Sequence, residues 1–568
     1  MKVIIVGGVA GGASCAARLR RLDEHAEILL VERGPYVSFA NCGLPYHIGG
    51  VIAEEESLLV ANENVFRRQF AVDCRTRCEM TGIDAAAKTV ELLDHETGST
   101  TTESYDHLVL SPGARSIRPP LPGIDLPGVF EVRTVPDARE IRRWIERGTN
   151  YLKGMERYSG FQTVRPPVRA VVIGGGFIGL ETAENLKHRG FDVTVLEMAP
   201  RVLTPIDPEF SDAVGDFLRM EGVDMVLGDG VAAFSQVDDG SLVVTTESGR
   251  ELPADVAILS LGVRPETALA DAAGLEIGER GGIRVDEQMR TSDPSILAVG
   301  DAVEVRDVVT GEWGLVALAG PANRQGRIAA DVIAGRDSTY RGTQGTAIIK
   351  LFDATIAWTG ANESTLTRLG DDDFEKVYLF PNSHAGYYPD ATPVAMKVIF
   401  RKSDGTILGA QAMGRQGVDK RIDSIAMAIQ LGATVYDLEE AELCYAPPYG
   451  SAKDPVNFAG MVSAGVLRGD LPVSHWGTHD DGLLLDVRGK VELAVESFSG
   501  ATHIPLNELR DRLDELPRDR PIHVVCRSGQ RAYYAARILL QNGFAADVVS
   551  GGMLASSYLE PSARVTGH

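Results

Sequence analysis

Two glycine-rich turns, each entered from a short apolar strand and left through a helix, dictate most of what this chain can become. In the first, Val3-Ile4-Ile5-Val6 runs into Gly7-Gly8-Val9-Ala10-Gly11-Gly12, then an Ala/Arg/Leu helix through Leu22 and a strand from Glu27 to Glu32. In the second, Ala170 to Ile173 runs into Gly174-Gly175-Gly176-Phe177-Ile178-Gly179, a helix through His188 and a strand from Asp192 to Glu197. A strand that ends on glycine places the N–H groups of the following helix where they can hold a pyrophosphate, and an acid about 20 residues on meets a ribose hydroxyl. One such turn is weak evidence. Two, each with its acid (Glu32 and Glu197), predict two Rossmann-type units and two bound dinucleotides. Val9 stands at the middle glycine position of the first turn, so the backbone approaches the phosphate there in a slightly different way.

The second unit is expected to interrupt the first. Thr101 to Leu110 leads into Ser111-Pro112-Gly113-Ala114, and Ser295-Ile296-Leu297-Ala298-Val299-Gly300-Asp301-Ala302 repeats a strand followed by glycine and an acid. These stretches bracket the second turn, which divides the chain into 1–115 with 252–330 around an inserted 116–251. From Gly342 onward, strand-rich text (Ala347 to Leu351, Ala354 to Thr359, Val394 to Phe400, Ile407 to Ala412) gives way to helical stretches near Asp423 to Leu431 and Asp454 to Leu467, an α+β domain over 331–468. Gly469-Asp470-Leu471-Pro472 reads as a linker, and Leu483-Leu484-Leu485-Asp486-Val487-Arg488 starts a fourth domain within 469–568. The segment Trp144 to Pro167 is longer than a connection needs; it is a surface insertion or a lid over a bound cofactor.

Two cysteines sit where chemistry is expected. Cys42 lies in Tyr36-Val37-Ser38-Phe39-Ala40-Asn41-Cys42-Gly43-Leu44-Pro45-Tyr46, and the position five residues on, where a dithiol centre would place its second sulfur, is His47. The thiol must therefore cycle with a bound thiol, a persulfide or an oxygen species. Its place at the start of a helix, facing an electron-poor cofactor ring, is expected to lower its pKa, because helix-terminal N–H groups and that ring favour the thiolate. Cys526-Arg527-Ser528-Gly529-Gln530-Arg531 follows the strand Ile522 to Val525 and precedes a helix, a loop able to wrap N–H groups around one sulfur and hold a persulfide anion with help from Arg531. A phosphatase loop would separate its cysteine and arginine by one residue more.

Composition narrows the class. The 568 residues are 44% hydrophobic and 24% charged, ordinary for a globular chain, and the formal charge of −23 argues against a nucleic-acid or anionic-membrane surface. The N-terminal apolar run is only four residues before the glycines, so neither an export signal nor a membrane span is expected. Six cysteines scattered over this length fit a reducing, cytoplasmic setting, and Cys74 with Cys78 lacks the second pair that a metal site needs.

Together, the first glycine turn, the Ser38 to Tyr46 run, Gly174 to Gly179 with Leu180-Glu181, and Val299-Gly300-Asp301-Ala302 resemble the coenzyme A disulfide reductases, single-cysteine members of the FAD-dependent pyridine nucleotide-disulfide oxidoreductases. The resemblance covers about the first 465 residues; the last stretch, with Asp486-Val487-Arg488 and the Cys526 loop, is similar to a rhodanese domain. It implies FAD on Gly7, Gly12, Glu32 and Asp301, with Ser111 and Gly113 beside them, and NADH on Gly174, Gly176, Gly179 and Glu197. The Glu197 carboxylate disfavours a 2′-phosphate, although Arg201 close behind leaves NADPH open. CoA is expected to meet Arg18 and Arg21 at its ADP end, unless these only solvate their helix, and Ser38 and Asn41 along its pantetheine. The family uses tyrosine hydroxyls, contributed across a homodimer, beside the reactive sulfur; Tyr387 and Tyr445 match those positions, the alternative being packing alone. The expected activity is NADH-dependent reduction of CoA persulfide, polysulfide or CoA disulfide through Cys42, with Cys526 carrying sulfane sulfur. Its rivals are an NADH oxidase or peroxidase cycling Cys42 through sulfenic acid and a non-catalytic redox sensor. The oxidase relatives carry histidine where this chain has Ala10.

Overall fold

The computed structural model describes residues 1–156, 168–238, 240–477, 482–559 and 564–566. The chain divides into two compact units, Met1–Leu203 with Leu218–Thr343, and Thr204–Phe217 with Gln344–His568.

The first unit holds both dinucleotide folds. One five-stranded sheet runs in the order Ile296–Ala298, His107–Leu110, Lys2–Val6, Glu27–Val31, Asp73–Arg75, with parallel pairing throughout. The other runs Asp224–Leu227, Asp192–Glu197, Arg169–Ile173, Val256–Leu259, Val129–Glu131, again parallel. Near-continuous apolar strands such as Val256–Leu259, buried at every residue, are what a sheet covered on both faces requires. The strands of the second sheet fall between those of the first in sequence. Val256–Leu259 lies beyond the expected boundary at 251 yet pairs with Arg169–Ile173, because that central strand needs a neighbour on each side. Similarly, the helix Ala319–Ile333 continues past 330; it lies against the helix Ala10–Leu22 so closely that a Cβ on Gly326 would come 2.2 Å from the Gly11 carbonyl oxygen. Of the segment Trp144 to Pro167, the first part continues the helix Val135–Glu156. Trp144 anchors that helix, donating from Nε1 to the Asp255 carbonyl at 3.0 Å and meeting Phe130 edge-on. Residues 157–167 lie outside the described residues.

The second unit contains an antiparallel sheet in the order Ala347–Leu351, Ala354–Gly360, Ile407–Gly414, Val394–Arg401, Phe374–Leu379. It also contains a parallel sheet in the order Val473–Ser474, Ala546–Val549, Ile522–Val525, Leu483–Asp486, Thr502–His503, built around a separate core that includes Leu485, Val524 and Leu539. Thr204–Phe217, expected to belong wholly to the inserted nucleotide domain, groups with this unit. Within this unit the Lys397 ammonium, fully buried, lies 2.8 Å from Asp207, 2.7 Å from Glu209 and 2.8 Å from Glu363, and Gln411 donates to Asp207 at 2.6 Å. These carboxylates have metal-ligand spacing, but the ammonium already fills the place of a cation.

Candidate active site

The run bearing Cys42 hangs from the first glycine turn. Ser38, in left-handed backbone (φ +49°), donates its N–H to the Gly8 carbonyl at 2.7 Å, and its own carbonyl accepts from Val60 at 2.9 Å. Cys42 then occupies a 3-10 turn, Asn41–Gly43, that feeds the helix Leu44–Gly49. Cys42 is exposed, whereas Gly43 beside it is buried. The Asn41 side-chain oxygen is buried and lacks a hydrogen-bond partner, an acceptor suited to a ligand N–H. His47 is a buried histidine held by the Ile52 carbonyl at 2.8 Å, with the Arg142 guanidinium against its ring.

The chain's own groups raise the Cys42 thiol rather than lower it. Partial desolvation pushes Cys42 up, the carboxylates of Glu181 and then Asp301 push it further, and the backbone N–H of the turn opposes them only in part. A 3-10 turn aligns fewer N–H groups on one sulfur than a regular helix start, while two anions share its surroundings. Glu181 comes from the helix Phe177–His188 of the inserted domain, which packs against Leu44–Gly49, and it accepts the Tyr46 hydroxyl at 3.0 Å. Burial, with the charge of Glu184, raises the Glu181 carboxyl to about 7 against that bond from Tyr46. Glu181 is thus neutral below that pH and an anion facing the sulfur above it. Replacing it with glutamine removes the anion, so peptide-resolved alkylation of Cys42 by iodoacetamide at about pH 8 becomes several-fold faster and its pH profile moves to lower pH. An unmoved profile contradicts this coupling.

The two glycine turns share one geometry. Gly7 (φ +94°) and Gly174 (φ +115°) take left-handed backbone, and a Cβ there would come 1.9 Å from the Ser111 carbonyl oxygen and 2.2 Å from that of Ser260. A Cβ on Gly12 or Gly179 would lie 1.9 Å from the carbonyl oxygen of Gly7 or Gly174, so the helix sits tight under its strand. Neither helix carries a side-chain cap, which leaves first-turn N–H groups for a ligand, and the Cβ direction of Gly176 faces open space. The acids act on their own loops: Glu32 accepts from Gly8 at 2.9 Å and Gly34 at 2.7 Å, and Glu197 accepts from Gly175 at 2.6 Å and Ala199 at 2.7 Å. Asp301 follows Gly300, whose N–H is fixed by buried Gln325 at 2.8 Å; Arg133 stands 3.7 Å from the carboxylate. Burial raises Asp301 and Arg133 counteracts it. Gly113 adjoins this arginine, its Cβ direction pointing 3.4 Å from the guanidinium.

Other candidate residues divide. Arg18 is paired with Asp331 at 2.8 Å, whereas Arg21 is exposed. In the second unit, the hydroxyls of Tyr387 and Tyr445 meet at 2.7 Å, both residues exposed. Cys526 is buried at the end of its strand, and its sulfur accepts N–H groups from Gly529 at 3.2 Å and Ala532 at 3.4 Å, the cradle that the loop implied. The Arg531 guanidinium is held by Glu492 through contacts of 2.6 and 2.8 Å, within charge-interaction range of Cys526, and this pairing draws Glu492 down to about 2. The sulfur is left chiefly to backbone donors. Arg488 and Asp486 form a buried bidentate pair that also ties Arg488 to the Glu496 carbonyl. Sequence reasoning had not given roles to Glu181, Tyr46, Arg133, Gln325 or Glu492; Glu181 and Tyr46 stood within quoted motifs, but only the helix contact joins them.

Residues 1–326 match the family model for pyridine nucleotide-disulphide oxidoreductase, residues 346–454 its dimerisation domain, and residues 474–556 the rhodanese-like domain. A coenzyme A disulfide reductase of Staphylococcus epidermidis is 34% identical over 460 residues, 81% of this chain and 99% of that protein. The crystal structure of reduced Bacillus anthracis CoADR-RHD is 47% identical, with a TM-score of 0.93 over 99% of each chain. A NAD-dependent persulfide reductase from A. fulgidus is 39% identical, with a TM-score of 0.87 over 98% of this chain and 100% of that one. Among the described residues, no helix is long and apolar enough to cross a membrane.

Proposed function

Since the chain belongs to the pyridine nucleotide-disulphide oxidoreductase family, and is an oxidoreductase carrying a rhodanese-like domain, we propose that it uses NADH to reduce CoA persulfide, polysulfide or CoA disulfide through Cys42 alone, with Cys526 carrying sulfane sulfur. The observation that carries this reading is the exposed Cys42 on its turn, with buried His47 where a dithiol centre needs its second sulfur. The acceptor must then bring the other sulfur.

The cradles fit the cofactors that the family implies. Uncapped helix starts under Gly7 and Gly174 suit two pyrophosphates, and the Asp301 turn beside Cys42 suits the flavin end of FAD. Bound FAD supplies the sulfur with two electrons drawn from NAD(P)H. Cys42 thiolate attacks one sulfur of CoA disulfide, forming the Cys42–CoA disulfide and expelling one CoA thiolate; two electrons then cleave that bond, restoring Cys42 thiolate and releasing the second CoA thiolate. With CoA persulfide, attack on the CoA sulfur expels hydrosulfide in the first step and the same bond is cleaved in the second. Glu181, raised to about 7, holds a proton beside Cys42 and limits the negative charge there. The orphan Asn41 oxygen suits a pantetheine amide, Ser38 shapes the approach, and exposed Arg21 suits the phosphates better than Arg18, which Asp331 occupies. The joined hydroxyls of Tyr387 and Tyr445 are proposed to act across a homodimer, hydrogen-bonding the leaving thiolate.

Steady-state NADH oxidation with CoA persulfide, CoA disulfide and hydrogen peroxide tests the reading. A kcat/KM highest for a CoA-linked sulfur, with hydrosulfide released from the persulfide, is expected. A preference for peroxide assigns the sulfenic-acid chemistry instead.

A further inference from the structure

We propose that the edge strand Phe374–Leu379 of the antiparallel sheet is the seat that shapes the sulfur-carrying loop, with Tyr378 and Ser550 as positioning residues for Cys526. The inference rests on the reading of Cys526 as the sulfane-sulfur carrier.

The strand lies at the sheet's outer edge, so one side of its backbone is unpaired within the sheet. That side is not left to solvent. The Tyr378 N–H donates to the Ser550 hydroxyl at 3.0 Å in a buried contact, and Glu375 meets His475, just ahead of the C-terminal domain's core, at 2.9 Å. Phe380, the next residue after the strand, packs into the cluster of Val525, Val549 and Met553 that underlies the Cys526 loop. Approach is close enough that a Cβ on Gly551 would lie 2.8 Å from the Tyr378 Cβ, and at φ +75° only glycine is comfortable there.

The corner Ser550–Met553 passes this constraint to the sulfur. Met553 N–H donates to the Cys526 carbonyl at 2.9 Å, and Leu554 N–H donates to the Arg527 carbonyl at 3.0 Å. Gly552 presses on the same peptide, its Cβ direction 2.3 Å from the Cys526 oxygen, while Trp476 Nε1 holds the Gly552 carbonyl at 2.8 Å. Fixing the carbonyls of Cys526 and Arg527 sets how the following peptides turn, and these present the Gly529 and Ala532 N–H groups to the sulfur. On its other flank the strand is anchored by the Tyr378 hydroxyl, which donates to Glu209 at 2.8 Å beside buried Lys397. A continuous set of contacts thus runs from the Lys397 cluster through Tyr378 and Ser550 to Cys526, and the geometry makes the sulfur cradle depend on docking against the strand.

Ser550→Ala in the full-length, cofactor-loaded protein removes the acceptor for the Tyr378 N–H. Sulfur transfer from thiosulfate to cyanide should fall about tenfold in kcat/KM. Peptide-resolved alkylation of Cys526 should shift to higher pH, because the N–H cradle loosens, and Ser550→Thr, which keeps the hydroxyl, should restore both. Wild-type transfer and an unmoved alkylation profile in Ser550→Ala would overturn the proposal. If the wild type transfers no sulfur, or Cys526→Ser transfers it equally well, the carrier role of Cys526 fails separately, and the alkylation profiles still decide whether Ser550 positions the loop.

Discussion

Cys42→Ser should lower kcat/KM for NADH-dependent reduction of CoA disulfide by at least about a thousandfold. The effect is large because the hydroxyl of serine neither ionises near neutral pH nor forms a reducible bond to sulfur, and the neighbouring carboxylates Glu181 and Asp301 oppose an anion there in any case. Within the first unit no other exposed thiol can substitute: the second position of a dithiol centre is His47, and Cys15, Cys74 and Cys78 are buried. The measurement is a steady-state assay on protein whose FAD content is matched by absorbance. Activity within tenfold of wild type would mean that electrons reach the acceptor without the thiol.

Lys397→Met should destabilise the second unit by about 3–5 kcal/mol, because it leaves buried Asp207 without its cation beside half-buried Glu209 and Glu363, of which Glu363 keeps Lys376. In a unit of this size that corresponds to a first thermal transition lower by on the order of 10 °C. The pH dependence carries the sign. In the wild type, burial tends to raise Glu363, but the charge of Lys397 and the bond from Lys376 hold it at about 2. The stability contributed by this depressed carboxyl is present above the ordinary glutamate range and is lost as pH falls through about 2. Without Lys397 the Glu363 carboxyl loses the largest influence holding it down, so the variant's deficit is largest near neutral pH and narrows towards about pH 4. Equal melting temperatures across that range would show that the cluster is better solvated than its burial implies.

Local pattern made much of this molecule legible. The glycine turns could be read because strand, turn and helix start are contiguous, and the Cys526 cradle because its donors Gly529 and Ala532 lie within six residues of the sulfur. What escaped was long-range pairing. Tyr46 meets Glu181 across 135 residues, and it is burial, followed by the charges of Glu181 and Asp301, that pushes Cys42 up. Arg531 carries a carboxylate partner that its own loop does not announce, Glu492, 39 residues earlier. Val256–Leu259 joins the sheet of Arg169–Ile173 because a central parallel strand needs two neighbours, a demand that no local signal carries. Thr204–Phe217 groups with the second unit, where Asp207 and Glu209 meet a lysine buried some 190 residues away.

The most direct test of the single-cysteine account is intact-protein mass spectrometry after exposure to CoA disulfide without NADH. The account predicts one CoA per chain in disulfide linkage, mapped to Cys42, released by NADH and absent in Cys42→Ser. CoA on another cysteine, or a Cys42 that gains only oxygen while NADH turnover proceeds, would contradict it.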